Sequence, residues 1–353
     1  MATQAQDIET RQEPEGNPPP GQAAFALFGI LSGSWAAQVL MVGTELGLAD
    51  VLLDGPKNIE ELAEATRTHA PSLMRIVRAL VSLGILGEQV PGQYSNTPLS
   101  LHLCKDTPGS LREFLLFFHR DWAWSIWNEL LYSVKTGQSA MKHAHGMGIW
   151  EYVDRHPEDL RMLNTGTDQF STLINPTILA AYDFSAFRTL TDVGGGFGNF
   201  LCLLAENNPA FHGTLFDRPS VIAEAQKIYA GTPFESRLTM APGSFFEELP
   251  AGRDAYFYKF VINDWGDDYV RQMLTACRRA IPDHGKLLIA EFVLTEKPDP
   301  ISALMSVVTF LGFDGGHGRT REEFRALLKE CGFTLTRVLP TASSLSLIEG
   351  VPA

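Results

Sequence analysis

Positive charge is scarce in this chain. It holds 28 Lys and Arg against 41 Asp and Glu, a formal net charge of −13. A protein that binds nucleic acid must neutralise phosphates, which calls for a basic surface. The acidic balance therefore argues against DNA or RNA as the main partner, leaving room only for a local basic patch. Cysteine is also scarce. Cys104, Cys202, Cys277 and Cys331 form no CxxC pair and lie in apolar or helical surroundings. They read as reduced core thiols of a cytoplasmic protein, without a disulfide or metal role. The histidines His143, His145 and His317 have no ligand spacing, so no metal site is expected. The start of the chain lacks a basic segment followed by an apolar one, the mark of a signal peptide. No apolar run is expected to reach the ~18 residues of a membrane span. There is no internal repeat.

What is present is ordinary globular material, 45% hydrophobic and 20% charged. The length of 353 residues suggests more than one domain. Residues 1–22 are polar and end in Asn17-Pro18-Pro19-Pro20-Gly21, which reads as a disordered lead. Residues 23–110 open with an apolar helical run, Phe25–Leu53, that has no polar face. Such a helix must be covered, and a partner subunit is a natural cover. A short helix capped by Asn58, a second over Pro71–Leu83 and a wing at Ile85-Leu86 and Gly92–Ser95 follow. Residues 111–182 are helical and rich in aromatics (Phe114, Phe117, Phe118, Trp122, Trp124, Trp127), fit for a core or a pocket wall. From 183 to 353 the pattern alternates. Leu190–Val193, Gly213–Phe216, Asp254–Phe260 and Gly285–Glu291 read as strands. Phe200–Asn207, Ser220–Tyr229 and Tyr269–Ala280 read as helices. This predicts a parallel α/β sheet of Rossmann-like type.

The sharpest motif is Asp192-Val193-Gly194-Gly195-Gly196-Phe197-Gly198, a strand running into a glycine-rich turn. Glycines let the backbone turn sharply and approach a ligand closely. The next strand ends in Phe216-Asp217-Arg218-Pro219, placing a carboxylate 21 residues after Gly196. An acid there accepts hydrogen bonds from ribose hydroxyls. NAD fits less well, because its loop is a GxGxxG at the start of a two-halved domain.

These motifs resemble the family of small-molecule O-methyltransferases that includes plant caffeate and chalcone enzymes and bacterial tailoring enzymes. Further matches are Gly243-Ser244-Phe245-Phe246, Lys259 through Asp267, Ala290-Glu291 and Gly315 through Thr320. The resemblance implies a class I methyltransferase domain using S-adenosyl-L-methionine (SAM) and releasing S-adenosyl-L-homocysteine (SAH). It implies that the winged-helix segment in front of that domain is a dimerisation domain that would form a homodimer. It also implies that Gly194, Gly196, Asp217 and Arg218 hold SAM, with Ser244 and Phe245 beside the adenine and Lys259 near the methionine portion. Ser244 stands where the family has an acid.

The catalytic positions depart from the pattern. The family's general base is a His oriented by two acids. Here the base position is Asn263, beside Asp264; Glu291 keeps one acid and Gly318 replaces the other. Asparagine cannot take a proton, and a phenol has a pKa near 10. Three readings follow. The preferred one is base-free methylation of a thioether sulfur or soft carbon in a small acid, such as 4-methylthio-2-hydroxybutyrate. The second is O-methylation of a phenolic or polyketide hydroxyl carried by proximity. The third is a non-methylating, SAM-dependent hydroxylase or pericyclase. For the acceptor, Phe118, His119, Arg120, Trp122, Thr167, Trp265 and His317 are the candidate contacts. Thr167 stands where the family has a Met, and Arg120 could pair a carboxylate bidentately. A SAM-sensing winged-helix DNA-binding protein is the remaining class. Its recognition segment, Leu73–Leu83, carries only Arg75 and Arg78.

Overall fold

The computed structural model describes residues 20–297 and 299–353. The chain divides after Ser100 into two compact units. The expected helical stretch 111–182 belongs to the same unit as the sheet. The expected lead, residues 1–22, lies outside the described residues except for its last three, which begin a helix.

In the first unit, a helix over Pro20–Glu45 is followed by helices Ile59–Thr66 and Ala70–Ser82 and by a hairpin of β1 (Leu86–Val90) and β2 (Gln93–Asn96). Asn58 and Glu61 form a reciprocal cap: Glu61 N–H donates to Asn58 Oδ1 at 2.9 Å, and Asn58 N–H donates to Glu61 Oε2 at 2.7 Å. Leu62, Leu73, Val77, Leu80 and Tyr94 make the small core. The first helix leaves Phe25, Phe28, Ile30, Leu31 and Trp35 exposed within the single chain, Phe25 to 80%. Its Gly21–Glu45 stretch is long and apolar enough to cross a membrane by length and composition, its most apolar 18-residue window having a mean hydropathy of 1.7. The expectation that no segment reaches that length is corrected here. Gly, Ser, Gln and Thr interrupt the run but leave its average high.

The second unit is built on seven strands: β3 (Thr189–Val193), β4 (His212–Asp217), β5 (Leu238–Pro242), β6 (Ala255–Lys259), β7 (Lys286–Glu291), β10 (Phe333–Pro340) and β11 (Ser346–Pro352). A separate two-stranded piece joins β8 (Val293–Leu294) to β9 (Arg319–Thr320). The large sheet runs β10-β11-β7-β6-β3-β4-β5. The five strands from β5 to β7 are parallel; β11 lies antiparallel on β7 and β10 antiparallel on β11. Side chains alternate across it: Phe257 joins one core, while Tyr256 and Tyr258 join the other. Burial on both faces explains the near-continuous apolar strands. Strand order reverses between β3 and β6, and in such sheets ligands bind at the carboxyl ends beside the reversal. Val193, Asp217, Lys259 and Glu291 end β3, β4, β6 and β7.

Helices of residues 112–181 build the rest of the unit. The long helix Pro157–Ala181 packs closely on Arg112–His119. Gly166 makes this approach possible, since a Cβ there would sit 2.6 Å from Phe114 Cα and 2.7 Å from Phe114 N. Backbone cannot yield as a side-chain tip can. Gly166→Ala is therefore expected to cost about 1–3 kcal/mol by overpacking, read as a lower midpoint in thermal unfolding. An unchanged midpoint would mean that the two helices separate freely.

Candidate active site

The strand ends open into one cavity of about 1170 Å³ within the second unit. Its floor is the turn after β3. Gly194 (φ 71°) and Gly196 (φ 60°) take left-handed backbone conformations that favour glycine. A Cβ on Gly194 would meet Val261 Cγ2 at 2.9 Å. Asp217 ties this turn to β4, its Oδ2 accepting from Gly196 N–H at 2.9 Å and its Oδ1 from Arg218 N–H at 2.7 Å. Each carboxylate oxygen keeps a lone pair for a further donor. Arg218 is held at the cavity wall by Asp154 at 2.8 Å and lies over the Trp150 ring, 5.0 Å from its centroid.

Lys259 is buried at the end of β6 and donates to Asn175 Oδ1 at 2.7 Å. Burial pulls its pKa down to about 8, opposed by the nearby Asp192 and Asp168 carboxyls. Asp192 lies under the turn with both oxygens buried and without a hydrogen-bond partner; burial pushes its pKa up to about 7. Asp168 lines the cavity and accepts from Asn199 Nδ2 at 2.5 Å. Sequence reasoning did not single out Asp168 or Asn175. No local motif marks them, since both come from the helix Pro157–Ala181, remote in sequence from the turn. The residues present fit SAM: a left-handed glycine cradle, a ribose-reading carboxylate with free lone pairs, and mixed buried charges suited to an amino-acid zwitterion. Ser244 and Phe245 line the same cavity.

Asn263 sits on a short 3-10 turn after β6, 5% exposed. Its Nδ2 donates to Phe292 O at 3.0 Å, its backbone N–H to Glu291 Oε1 at 3.2 Å, and its carbonyl accepts from His317 N–H at 2.9 Å. Its Oδ1 is buried and has no partner. Burial pushes the Glu291 pKa up to about 7, against backbone hydrogen bonds that favour its charged form. Burial and the Glu291 charge push Asp264 well above the usual carboxylate range. Arg319, 1% exposed, clamps the whole segment. It donates to Asp267 Oδ1 (3.0 and 2.7 Å), to Ile262 O (3.1 Å) and to Trp265 O (2.7 Å). Its role was visible in the sequence only as a motif position.

The structure places Phe118, Trp122, Thr167, Asn263, Asp264, Trp265 and Glu291 in the cavity lining. His119, Arg120 and His317 are not among the lining residues. Arg120 is engaged by Glu158 at 2.5 Å and Asp159 at 2.7 Å, and His317 Nδ1 lies 2.8 Å from Gly315 O. His145 contacts Ser125 Oγ at 2.9 Å and His143 stacks on Tyr132. Among the described residues no group of three or more His, Cys, Asp or Glu could hold a metal. All four cysteines are buried.

Two outcomes test this geometry. Asp217→Ala removes a charged acceptor and is expected to weaken SAM binding roughly 10–100-fold by calorimetry; unchanged affinity would remove Asp217 from the site. Glu291 has a folded pKa raised above its unfolded value. Its contribution to stability is full below about pH 4.5 and is lost as pH rises through about 7. Glu291→Gln is therefore expected to flatten the fall in thermal midpoint between pH 5 and 8. An unaltered pH profile would contradict the burial argument.

Comparison with known proteins agrees with this architecture. Residues 127–334 match the family model of an O-methyltransferase domain, and residues 28–106 match that of an O-methyltransferase dimerisation domain. A phenazine O-methyltransferase of Lysobacter antibioticus is 38% identical, covering 92% of this chain and 95% of its own. A mitomycin-biosynthesis 6-O-methyltransferase of Streptomyces lavendulae is 32% identical, covering 94% and 96%. An 8-amino-8-demethylriboflavin N,N-dimethyltransferase of Streptomyces davaonensis is 30% identical, covering 89% and 91%. Among solved structures, LaPhzM superposes with a TM-score of 0.88 at 36% identity, covering 94% of this chain and 99% of that one. A calicheamicin-biosynthesis methyltransferase solved with SAH bound superposes with a TM-score of 0.82 at 30% identity, covering 96% and 100%. With its glycine cradle, its strand-end carboxylate and a dimerisation domain ahead of them, the chain belongs to the O-methyltransferase family and is a SAM-dependent methyltransferase of small molecules.

Proposed function

We propose that this enzyme methylates oxygen or nitrogen on an aromatic or heteroaromatic small molecule, without a side-chain general base. The observation that carries this reading is the buried, unpartnered Oδ1 of Asn263 in the cavity lining. An unpaired buried acceptor costs about 1–3 kcal/mol, which a bound O–H or N–H donor removes. A thioether sulfur offers no such hydrogen. The small-acid reading also loses its anchor, since Arg120 is engaged by two carboxylates outside the lining. The relatives named above act at oxygen or nitrogen, so the thioether preference gives way, as does the non-methylating one.

Bound SAM supplies an electrophilic methyl group. The chain supplies position: Asn263, fixed through three of its polar atoms, orients the nucleophile. Because Asn263 cannot take a proton, suitable acceptors need none removed by a side chain. An arylamine has a lone pair ready, and a hydroxyl on an electron-poor ring is already acidic. The wall suits a flat ring. Phe114 and Phe170 stack at 4.6 Å, and Phe260 lies 5.6 Å from Phe170. Phe260 holds a left-handed φ of 56°, a strain of about 1–2 kcal/mol in a non-glycine residue. Thr167 leaves room where a Met would narrow the slot.

The first unit fits dimerisation better than DNA reading. Its exposed apolar helix, which the dimerisation match covers from residue 28 onward, would be covered by the partner copy in a cytoplasmic homodimer, with neither membrane nor nucleic acid as partner. The test of function is transfer from methyl-labelled SAM to a panel of hydroxy- and amino-heteroaromatics, simple phenols, aliphatic amines and thioether acids. Label on ring oxygen or nitrogen is expected. Label confined to a thioether acid would overturn the reading.

A further inference from the structure

Two consecutive amides of the loop before β9 each hold a cavity residue. His317 N–H donates to the carbonyl of Asn263 at 2.9 Å, and Gly318 N–H donates to Ser306 Oγ at 2.9 Å. Asn263 and Ser306 are thereby set near each other, and both line the cavity. Their spare polar functions are complementary. Asn263 spends its Nδ2 on Phe292 O and keeps Oδ1 as an acceptor. Ser306 spends a lone pair on Gly318, while its hydroxyl hydrogen has no acceptor among the described residues. A hydroxyl is both donor and acceptor, so it has a donor to offer. Position 318 protects this arrangement. A Cβ on Gly318 would lie 3.0 Å from both Cβ and Oγ of Ser306 and 3.2 Å from Leu294 Cγ. Glycine there leaves the space that the serine hydroxyl occupies. The surrounding lining includes the apolar Met305, Val308, Leu311 and Phe313, with Thr309 on the same helix and Asp264 and Glu291 beside Asn263.

We propose that Ser306 is a specificity-determining residue for the acceptor, its hydroxyl donating to an atom beside the one held by Asn263. The acceptor class is then an aromatic ring carrying an N–H or O–H next to a carbonyl or ring nitrogen. This deepens the aromatic-acceptor reading above and rests on it.

The experiment is binding to the SAH-loaded enzyme, which needs no methyl transfer. 2-Hydroxyquinoline presents a donor beside an acceptor in either tautomer; 2-naphthol, of equal ring size, presents a hydroxyl alone. Wild type is expected to bind 2-hydroxyquinoline at least tenfold tighter. Ser306→Ala should weaken 2-hydroxyquinoline about tenfold, the worth of one such hydrogen bond, and leave 2-naphthol within twofold. Ser306→Cys, which keeps the volume but donates weakly, should behave like Ser306→Ala and guards against a folding defect in it. SAH affinity serves as the control for an intact site. Equal binding of the two rings by wild type, or equal loss of both in the variants, overturns the proposal. Selective binding without methylation of any ring would instead sink the reading of function and leave Ser306 as the selector.

Discussion

The fixation of Asn263 is the interaction on which the chemistry of this site depends. An asparagine in a cavity wall could swing, exchange its amide ends or turn away. Here its Nδ2, its backbone N–H and its carbonyl each have a partner, in Phe292, Glu291 and His317. Only Oδ1 is left over. Arg319 holds the segment on both sides through Ile262 and Trp265. Burial pushes up the pKa values of the acids nearby, and the one that touches Asn263, Glu291, spends Oε1 on its backbone N–H. The site is therefore organised to position a nucleophile, and position alone can supply several kcal/mol of a barrier.

The sheet provides the frame for this. Reversal of strand order between β3 and β6 leaves a crevice at the carboxyl ends, and the residues that end the strands become the site. Asp217 faces the cofactor turn from β4, Lys259 closes β6, and Glu291 at the end of β7 reaches the Asn263 backbone. Cofactor chemistry and acceptor chemistry thus share one rigid floor, while the helices of residues 112–181 supply an apolar wall.

Much of the fold was legible in the sequence. The glycine turn and the spaced acid mark a local backbone geometry that few sequences encode by chance. The strands β3, β4, β6 and β7 show as apolar runs because both faces of the sheet are buried. β5 and the antiparallel pair β10 and β11 were not read: β5 ends in Ala241-Pro242, and the outer pair mixes Thr, Arg and Glu with its apolar residues. The loss of a base at Asn263 was readable from residue type alone. What its side chain does was not, because that depends on Phe292 and His317, which fold back from elsewhere. Arg120 shows the same limit in reverse. Its position beside aromatic residues suggested a carboxylate in the substrate, whereas its partners are Glu158 and Asp159, nearly forty residues away. Ser306 carried no signal at all, since only the packing of the helix Pro300–Gly312 against Gly318 brings its hydroxyl to Asn263's neighbourhood.

The central claim is that no side chain takes the proton. The pH dependence of single-turnover methyl transfer, measured for a series of ring hydroxyl acceptors of graded acidity, tests it most directly. If the account holds, the apparent pKa of the rate follows the acceptor's own pKa across the series. A single apparent pKa shared by every acceptor would place a titrating base in the enzyme and contradict it.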